Sequence, residues 1–259
     1  MIIAIDIGNT NILFGKIDTS GNIIEKLRIK TKDIFESLNE TNPFFAEKLN
    51  NFITNDCTKF ILSGVVPCVE EKIKIFLSNK FQNIDQIEIN NSILSEFINI
   101  DVNLPDEVGA DRLINAIATL EIHKPPLIIV DLGTATTFDI ISKDGSYIGG
   151  LICPGVDLSI QSLAEKTAKL PLIKFKKTEN IIGKDTKSAI ESGIYWGYVS
   201  LIEGIIDKLK SKEELNSSTV IATGGLSDLF KNNVKSINHF IQDLTLMGLN
   251  SIYRKLNDS

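Results

Sequence analysis

The sequence predicts an α/β protein of two similar lobes, and two observations carry that prediction. The first is an internal duplication, in which a buried strand, an Asp-x-Gly turn with hydroxyl residues, a second strand and a hairpin turn occur twice. The two aspartates, Asp6 and Asp131, stand 125 residues apart in a chain of 259. The second observation is an alternation of short apolar runs with amphipathic helical segments. We therefore expect one lobe over residues 1–115 and a second over residues 116–259.

In the first half, three apolar runs predict three strands joined by tight turns. These runs are Ile2–Ile5, Ile12–Ile17 and Ile23–Ile29. The turn Asp18–Asn22 has the Asp, Gly, Asn and Ser residues that hairpin loops require. The remaining elements are a strand, a helix, a short strand and a helix that crosses the boundary: Phe60–Val66, Pro67–Lys80, Ile87–Ile89 and Gly109–Ile122.

The second half repeats the strand pattern and then continues with longer helices. Its strands are Leu127–Val130, Thr137–Ile141 and, after the turn Lys143–Ser146, Tyr147–Ile152. The apolar positions of Thr186–Lys210 recur with helical spacing, which predicts one long helix. The other predicted elements are two helices, one strand and a short helix: Val156–Leu170, Phe240–Leu256, Thr219–Ala222 and Ser227–Lys231.

Composition and charge exclude several classes of protein. The net charge of −6 is spread along the chain without a basic block, which argues against nucleic acid as the main partner. No stretch approaches the roughly 18 apolar residues of a membrane span, and Asp6 comes too early for a secretory apolar region. Cys57, Cys68 and Cys153 are scattered without metal-site spacing, as is typical of a reducing compartment. We expect a cytoplasmic protein.

The two Asp-x-Gly turns are candidate phosphate-binding sites. In Asp6–Asn11, Gly8 lets the backbone approach a ligand, and the amides of a tight turn form an anion-binding nest. Asp6 can hold a magnesium ion through water. One such hairpin alone is explained slightly better by turn propensity, but the second copy, Asp131–Thr137, reverses that preference in favour of phosphate binding. Neither a Walker nor a G-x-G-x-x-G motif is present.

Two further motifs have both a structural and a functional interpretation. Gly224 and Gly225 follow a predicted strand; they serve a strand-to-helix turn, or they let an adenine lie against the backbone. Asp111 and Arg112 open a predicted helix, where acidic residues are common. In the functional interpretation, Asp111 accepts a hydroxyl proton and Arg112 holds an anionic acceptor, which is most of what phosphoryl transfer requires from a protein.

The order of motifs along the chain resembles the type III pantothenate kinases. The motifs are Asp6–Asn11, Glu107–Arg112, Asp131–Thr137, Gly149–Gly155, Gly183–Thr186 with Ser192-Gly193, Thr223–Gly225 and Leu244–Leu249. The resemblance implies two ribonuclease-H-like lobes of the actin-like ATPase fold, with ATP in a cleft between them. It also implies the phosphorylation of pantothenate to 4′-phosphopantothenate in coenzyme A biosynthesis, with magnesium and potassium or ammonium as cations.

The resemblance also assigns roles to individual residues. The residues implied to hold the ATP phosphates are Asp6, Ile7, Gly8, Asn9, Thr10, Asn11, Ile12, Leu13 and Thr134. Those implied to contact pantothenate are Gly109, Ala110, Asp111, Arg112 and, from the partner subunit of a homodimer, Thr186. Asp111 is the implied proton acceptor, and Asp131 the implied ligand of the monovalent cation. The chain has Val102 where related sequences usually carry a tyrosine.

Two alternatives to the kinase come from other functional classes. A phosphatase of the same superfamily needs a carboxylate to position water and no acceptor pocket, so the Asp111-Arg112 pair argues against it. A non-catalytic nucleotide-binding relative has no need of Asp111 or Asp131, and both are present. For assembly, Tyr195 and Trp196 point to different faces of one long helix. We expect a second chain to cover one of those faces in an isologous dimer.

Overall fold

The structure is a computed structural model that describes residues 1–37 and 43–258. Its backbone forms two compact units. The first comprises Met1–Asn99, Asn103–Ala118 and Thr245–Ser259, and the second comprises Ile100–Val102 and Thr119–Leu244. The lobe division at residue 115 stays a prediction, and the structure adds that the last helix belongs to the first unit. Among the described residues, no helix combines the length and the apolar character needed to cross a membrane.

The elements alternate as the α/β prediction requires. The strands are β1 (Ile2–Ile7), β2 (Asn11–Ile17), β3 (Ile23–Lys30), β4 (Lys59–Gly64), β5 (Asp85–Glu88), β6 (Leu127–Leu132), β7 (Ala135–Ile141), β8 (Tyr147–Pro154), β9 (Thr219–Thr223) and β10 (His239–Phe240). The helices are α1 (Thr31–Ser37), α2 (Pro43–Phe52), α3 (Pro67–Lys80), α4 (Asn91–Leu94), α5 (Ala110–Ile122), α6 (Val156–Lys166), α7 (Thr186–Lys210), α8 (Ser227–Phe230) and α9 (Leu244–Asp258).

The two sheets have corresponding topologies within the described residues. The first has the strand order β3-β2-β1-β4-β5, and the second has β8-β7-β6-β9-β10 when read in the same direction. In each sheet the central strand pairs antiparallel with the following strand and parallel with the later one. This arrangement confirms the prediction of two ribonuclease-H-like lobes.

The central strands β1 and β6 divide their side chains between two sheet faces. In β1, Ile3, Ile5 and Ile7 enter one apolar core together with Phe60 and Leu62 of β4. Alternation along a strand therefore places Asp6 on the opposite face. The second unit repeats this pattern: alternate residues of β6 and β9 form a core, and Asp131 lies on the other face.

The last helix, α9, packs within the first unit. A Cβ at Gly15 of β2 would lie 2.7 Å from Leu246 Cδ1, and one at Gly248 would lie 2.6 Å from Ile114 of α5. The backbone contact with Ile114 requires glycine at position 248, whereas at position 15 the Leu246 side chain packs directly on the strand. The predicted start of this helix at Phe240 is wrong, because Phe240 pairs with Ala222 in β10 and the helix begins at Leu244.

The segment 167–185 has no regular secondary structure and is fixed against α7. The predicted helix to Leu170 is wrong at this end, because Thr167 is extended and its Oγ1 donates to the Leu163 carbonyl at 2.7 Å. Phe175 then stacks on Phe230 with ring centroids 5.7 Å apart. The exposed Lys176 ammonium forms an ion pair with the buried Glu191 carboxylate at 3.0 Å.

Candidate active site

The first candidate site segment is the hairpin between β1 and β2. The Gly8 amide donates to the Asn11 carbonyl at 3.0 Å, and a Cβ at Gly8 would lie at the same distance from that oxygen. Asn9 and Thr10 are exposed at its tip, whereas Ile7 and Ile12 are buried in the sheet. The predicted ATP-binding run Asp6–Leu13 is thus one tight turn between two anchored strand ends.

Thr31, a residue that the sequence does not mark as a site residue, stabilises this hairpin through two hydrogen bonds. Its side chain is 2% exposed, and its Oγ1 donates to the Gly8 carbonyl at 2.7 Å. Its amide donates to the Thr10 carbonyl at 3.0 Å. The signal in the sequence is the position of Thr31 directly after β3, whose Lys30 pairs with Asn11. Two hydrogen bonds from one buried residue hold both arms of the turn.

The second hairpin, between β6 and β7, has a loop one residue shorter than the first, because Leu132 pairs with Thr136 whereas Ile7 pairs with Ile12. The Gly133 amide donates to the Ala135 carbonyl at 3.1 Å, and Thr134 is exposed at the tip. A Cβ at Gly155 would overlap the Thr134 carbonyl, so only glycine fits against this turn. The glycine of the Pro154-Gly155 motif is therefore needed for the packing of the hairpin.

Gly224 brings the end of β9 against the Asp131 carboxylate. Its φ of +89° lies in the left-handed region that favours glycine, and a Cβ there would overlap Asp131 Oδ1. The Ser227 hydroxyl fixes the turn by donating to the Gly224 carbonyl at 2.8 Å, and Gly225 is exposed. Within the second unit, the structure brings Asp131 and the two glycines together at the carboxyl ends of β6 and β9.

Asp111 and Arg112 lie in the first turn of α5, in the first unit. Asp111 Oδ1 accepts from the Arg112 amide at 2.9 Å, and a Cβ at Gly109 would lie 2.6 Å from that oxygen. Burial raises the pKa of the Asp111 carboxyl above its usual range, against the lowering effect of the Arg112 amide and charge. A partly buried carboxyl with a raised pKa is suited to accept a proton.

Asn91 holds the loop that leads into the Gly109–Arg112 turn. Its Nδ2 donates to the Val108 carbonyl at 2.8 Å and contacts the Pro105 carbonyl at 3.3 Å. Nothing in the sequence marks this residue beyond the turn propensity of the Asn90-Asn91 pair. Its contacts lie 14 to 17 residues away along the chain, so the role of Asn91 is tertiary.

The remaining predicted contact, Thr186, is exposed in the first turn of α7. The helix begins with a capping box, in which the Asp185 carboxylate accepts from the Ser188 amide at 2.9 Å. This hydrogen bond is the main cause that lowers the pKa of Asp185. Thr186 thus lies on a helix start, whereas Asp131 and Thr134 lie at strand ends of the same unit.

Comparison with known proteins identifies one family over most of the chain. The profile of the type III pantothenate kinase family matches residues 2–208. A type III pantothenate kinase of Caulobacter vibrioides is 40% identical over 262 residues, which cover 98% of this chain and 97% of the relative. One from a Sulfurihydrogenibium species is 41% identical over 251 residues, which cover 96% and 98%.

Solved structures with low sequence identity share the fold. The ethanolamine utilization protein EutJ from Carboxydothermus hydrogenoformans aligns with a TM-score of 0.54 at 12% identity, over 96% of this chain and 89% of that one. The activator of the 2-hydroxyisocaproyl-CoA dehydratase from Clostridium difficile, with bound ADPNP, aligns with a TM-score of 0.51 at 13% identity, over 100% and 97%. Since the family profile spans most of the chain and relatives near 40% identity cover almost all of it, the protein belongs to the type III pantothenate kinase family.

Proposed function

We propose that this protein transfers the γ-phosphoryl group of ATP to the hydroxyl of pantothenate and so forms 4′-phosphopantothenate, the first step of coenzyme A biosynthesis. The observation that carries the proposal is the Asp111 carboxyl, which the start of α5 holds in a partly buried position with a raised pKa. Asp111 accepts the proton of the attacking hydroxyl. The Arg112 guanidinium binds the pantothenate carboxylate, and Gly109 and Ala110 line the acceptor.

The hairpin residues bind ATP. Amides and side chains of Asp6–Leu13 donate to phosphate oxygens, as the tight turn at Gly8 and the exposure of Asn9 and Thr10 support. Thr134, at the tip of the corresponding hairpin, adds a further contact. Gly225 follows Gly224 at the end of β9 and is exposed, which suits an adenine ring against the backbone of these two glycines.

The two strand-end carboxylates hold the cations. Asp6 binds magnesium through water, and Asp131 binds potassium or ammonium. When bound, the magnesium neutralises phosphate charge. The donor set fits, because magnesium usually takes one or two carboxylates together with phosphate oxygens and does not require a dedicated cage of protein ligands.

A change of the monovalent cation tests the role of Asp131. Replacing potassium by sodium should depress turnover of the wild type, because the ion no longer matches its site. Asp131→Ala should remove this preference, so that both salts give the same rate. A coupled assay of ADP formation in matched salts measures both effects. Full wild-type turnover in sodium alone would contradict the role of Asp131.

The acceptor site also takes Thr186 from the partner subunit of a homodimer. The reason for a dimer that the sequence suggested is wrong, because Tyr195 is fully buried in the core of its own unit and Trp196 packs against the same core. A different observation supports the dimer: a Cβ added at Gly193 or Gly197 of α7 would meet no atom of the described residues within 4 Å. The exposed isoleucines just before α7 add apolar surface: Ile181 is 69% exposed and Ile182 77%.

The alternatives receive less support than the kinase. The family match favours a kinase over a phosphatase or a non-catalytic relative, and Asp111 and Asp131 are both present. A cytoplasmic location is part of the proposal, and the free thiols of Cys57, Cys68 and Cys153 support a reducing compartment.

One assay tests the proposal. Purified protein is incubated with magnesium ATP and potassium, with and without pantothenate, and both ADP and 4′-phosphopantothenate are measured. We expect equal amounts of both products, and ADP only when pantothenate is present. ADP released at the same rate without pantothenate would instead identify a phosphatase and overturn the proposal.

A further inference from the structure

Ser63 is a buried serine whose hydroxyl has no hydrogen-bond partner among the described residues. Its side chain is 2% exposed, and its Oγ lies out of contact with solvent. It lies near the carboxyl end of β4, where it pairs in parallel register with Asp6 of β1. Paired residues of neighbouring strands place their side chains on the same face of a sheet. Ser63 and Asp6 therefore lie next to each other on one face of the sheet, without a hydrogen bond between the hydroxyl and the carboxylate.

The packing of the first unit supports this placement. The neighbours of the pair along the two strands, Ile5, Ile7 and Leu62, all enter the core on the opposite face. Asp6 and Ser63 must therefore point away from that core, because successive side chains alternate. A buried hydroxyl without a partner is costly, so an unused donor beside a carboxylate needs an explanation.

The second unit repeats the pair at the equivalent position. Thr223 of β9 pairs with Asp131 of β6 in the same parallel register and is also 2% exposed. Its Oγ1 donates to the Gln242 carbonyl at 3.5 Å, a long hydrogen bond. A glycine follows the hydroxyl residue in both units, at Gly64 and Gly224. The duplication thus preserves a hydroxyl beside each candidate cation-binding carboxylate.

We propose that Ser63 is a positioning residue for Asp6. When magnesium and the nucleotide are bound, its hydroxyl donates to one carboxylate oxygen, so that the other oxygen keeps one orientation toward them. Thr223 takes the same role for Asp131 by redirecting its hydroxyl from the Gln242 carbonyl to the carboxylate. The proposal rests on the proposed function, since it assumes that Asp6 holds magnesium with the ATP phosphates.

The test compares Ser63→Ala with Ser63→Thr and with the control Ser218→Ala. Ser218 is likewise 2% exposed, with a hydroxyl that has no partner in the described part of the chain, but it precedes β9, at the end opposite to Thr223. Calorimetry measures ADP binding to each purified protein, once with magnesium and once in a chelator. Melting temperatures of the ligand-free proteins report any purely structural effect.

We expect Ser63→Ala to weaken ADP binding about 10-fold or more in magnesium, the usual effect of losing a group that orients a metal ligand. Binding in the chelator should stay within about 2-fold of wild type, because the hydroxyl acts only through Asp6. Ser63→Thr, which copies the residue of the second unit, should retain wild-type binding. Ser218→Ala should match wild type in both conditions.

Three outcomes separate this inference from the proposed function. Equal magnesium-dependent binding by Ser63→Ala and Ser218→Ala would overturn the role of Ser63 while the kinase proposal stands. Equal weakening of Ser63→Ala with and without magnesium, or a lower melting temperature alone, would assign a structural role and also overturn it. Failure of the wild type to bind ADP with magnesium would instead contradict the proposed function itself.

Thr223→Val gives an independent readout in the second unit. The substitution keeps the shape of the side chain and removes the hydroxyl. We expect the potassium concentration for half-maximal ADP binding to rise about 10-fold, with the magnesium dependence unchanged. An unchanged potassium dependence would restrict the inference to Ser63 and overturn its extension to Thr223.

Discussion

Two opposing influences act on the pKa of the Asp111 carboxyl, and the resulting pKa predicts how the rate depends on pH. Burial raises its pKa, whereas the Arg112 amide and charge lower it. A base must be deprotonated to accept a proton, so a raised pKa moves the acidic limb of the rate profile to higher pH. We expect Asp111→Asn to lower turnover about 10²–10⁴-fold. The pH profile of kcat, measured from pH 4 to 8 (roughly the range around a shifted carboxyl), should lose its acidic limb.

Two controls accompany Asp111→Asn. Calorimetry should show ADP binding close to wild type, because the substitution removes a proton acceptor and no phosphate contact. The variant should also resist unfolding at neutral pH at least as well as wild type. The reason is that a carboxyl with a raised folded pKa opposes folding once it ionises. Turnover within a few-fold of wild type would remove Asp111 from the mechanism.

Thr31 carries a prediction about the first hairpin. Thr31→Val keeps the shape and removes the donor to the Gly8 carbonyl, so the free energy of unfolding should fall by about 1–3 kcal/mol. Because Thr31 holds the phosphate turn, KM for ATP should also rise. Chemical denaturation and steady-state kinetics measure the two effects.

Thr58→Val is the matched control for Thr31→Val. Its Oγ1 also donates to a backbone carbonyl, that of Met1, at 3.1 Å, but its side chain is exposed. We expect a change within about 0.5 kcal/mol and an unaltered KM. Equal effects of the two substitutions would mean that Thr31 has no special part in the hairpin.

At the residue scale, the sequence identified the groups that the motifs contain and missed the groups that support them. Asp6 and Asp111 could be found because turn chemistry and helix-start position mark them locally. Asn91 and Ser63 have no local signature and Thr31 has only its position after β3, because each acts on residues 14 or more positions away along the chain. Local sequence patterns do not reveal which of these distant residues meet.

At the scale of elements, Gly183 determines how the segment 167–185 meets α7. A Cβ at this position would overlap the Ala189 amide nitrogen, part of the rigid helix backbone. We expect Gly183→Ala to lower the free energy of unfolding by about 1–3 kcal/mol. Activity should fall as well, because Thr186 follows within three residues. Gly204→Ala is the control: it has open space and should stabilise the helix by about 0.5–1 kcal/mol. Equal behaviour of both variants would contradict the close approach.

The predicted elements were most accurate where hydrophobic periodicity and end signals agreed. The helix α7 begins and ends at the predicted residues, because the Asp185 capping box and a long apolar face act together. The helix α6 ends earlier than predicted, since apolar residues continue past Thr167 in a segment that packs without helical structure. Apolar residues beyond a helix end do not reveal their backbone conformation.

At the scale of the whole molecule, the exposed face of α7 predicts assembly. Gly197→Glu introduces a charge where a Cβ has open space, so the folded subunit should keep its melting temperature. We expect light scattering to show a monomer instead of a dimer, with turnover reduced at least 10-fold because Thr186 of the partner is lost. Trp196 is unsuitable for this test, because it packs against the core of its own unit.

Ile75→Glu controls for the added charge in the assembly test. Ile75 lies on α3 of the first unit and is 54% exposed, so its replacement places a glutamate at an exposed apolar position of another helix. The control should remain dimeric and active. A fully active monomer of the wild type at assay concentration would contradict the shared site and leave the kinase proposal intact.

The duplication made the architecture the most predictable level. Repetition of strand, Asp-x-Gly turn and strand at half the chain length specified two lobes of one design, and both sheets follow it. The return of α9 to the first unit could not be predicted in this way. An amphipathic helix indicates that it covers an apolar face, and nothing in its own residues identifies which one.

That return of α9 has a consequence for protein synthesis. The first unit needs Leu246 against Gly15 and Gly248 against Ile114, so its structure is incomplete until the ribosome has released the last helix. The second unit comprises Ile100–Val102 and Thr119–Leu244, all translated before α9. The second unit can therefore form its native contacts while the first unit still lacks α9. We therefore expect the second unit to complete its contacts before the first, opposite to the order in which the two are translated.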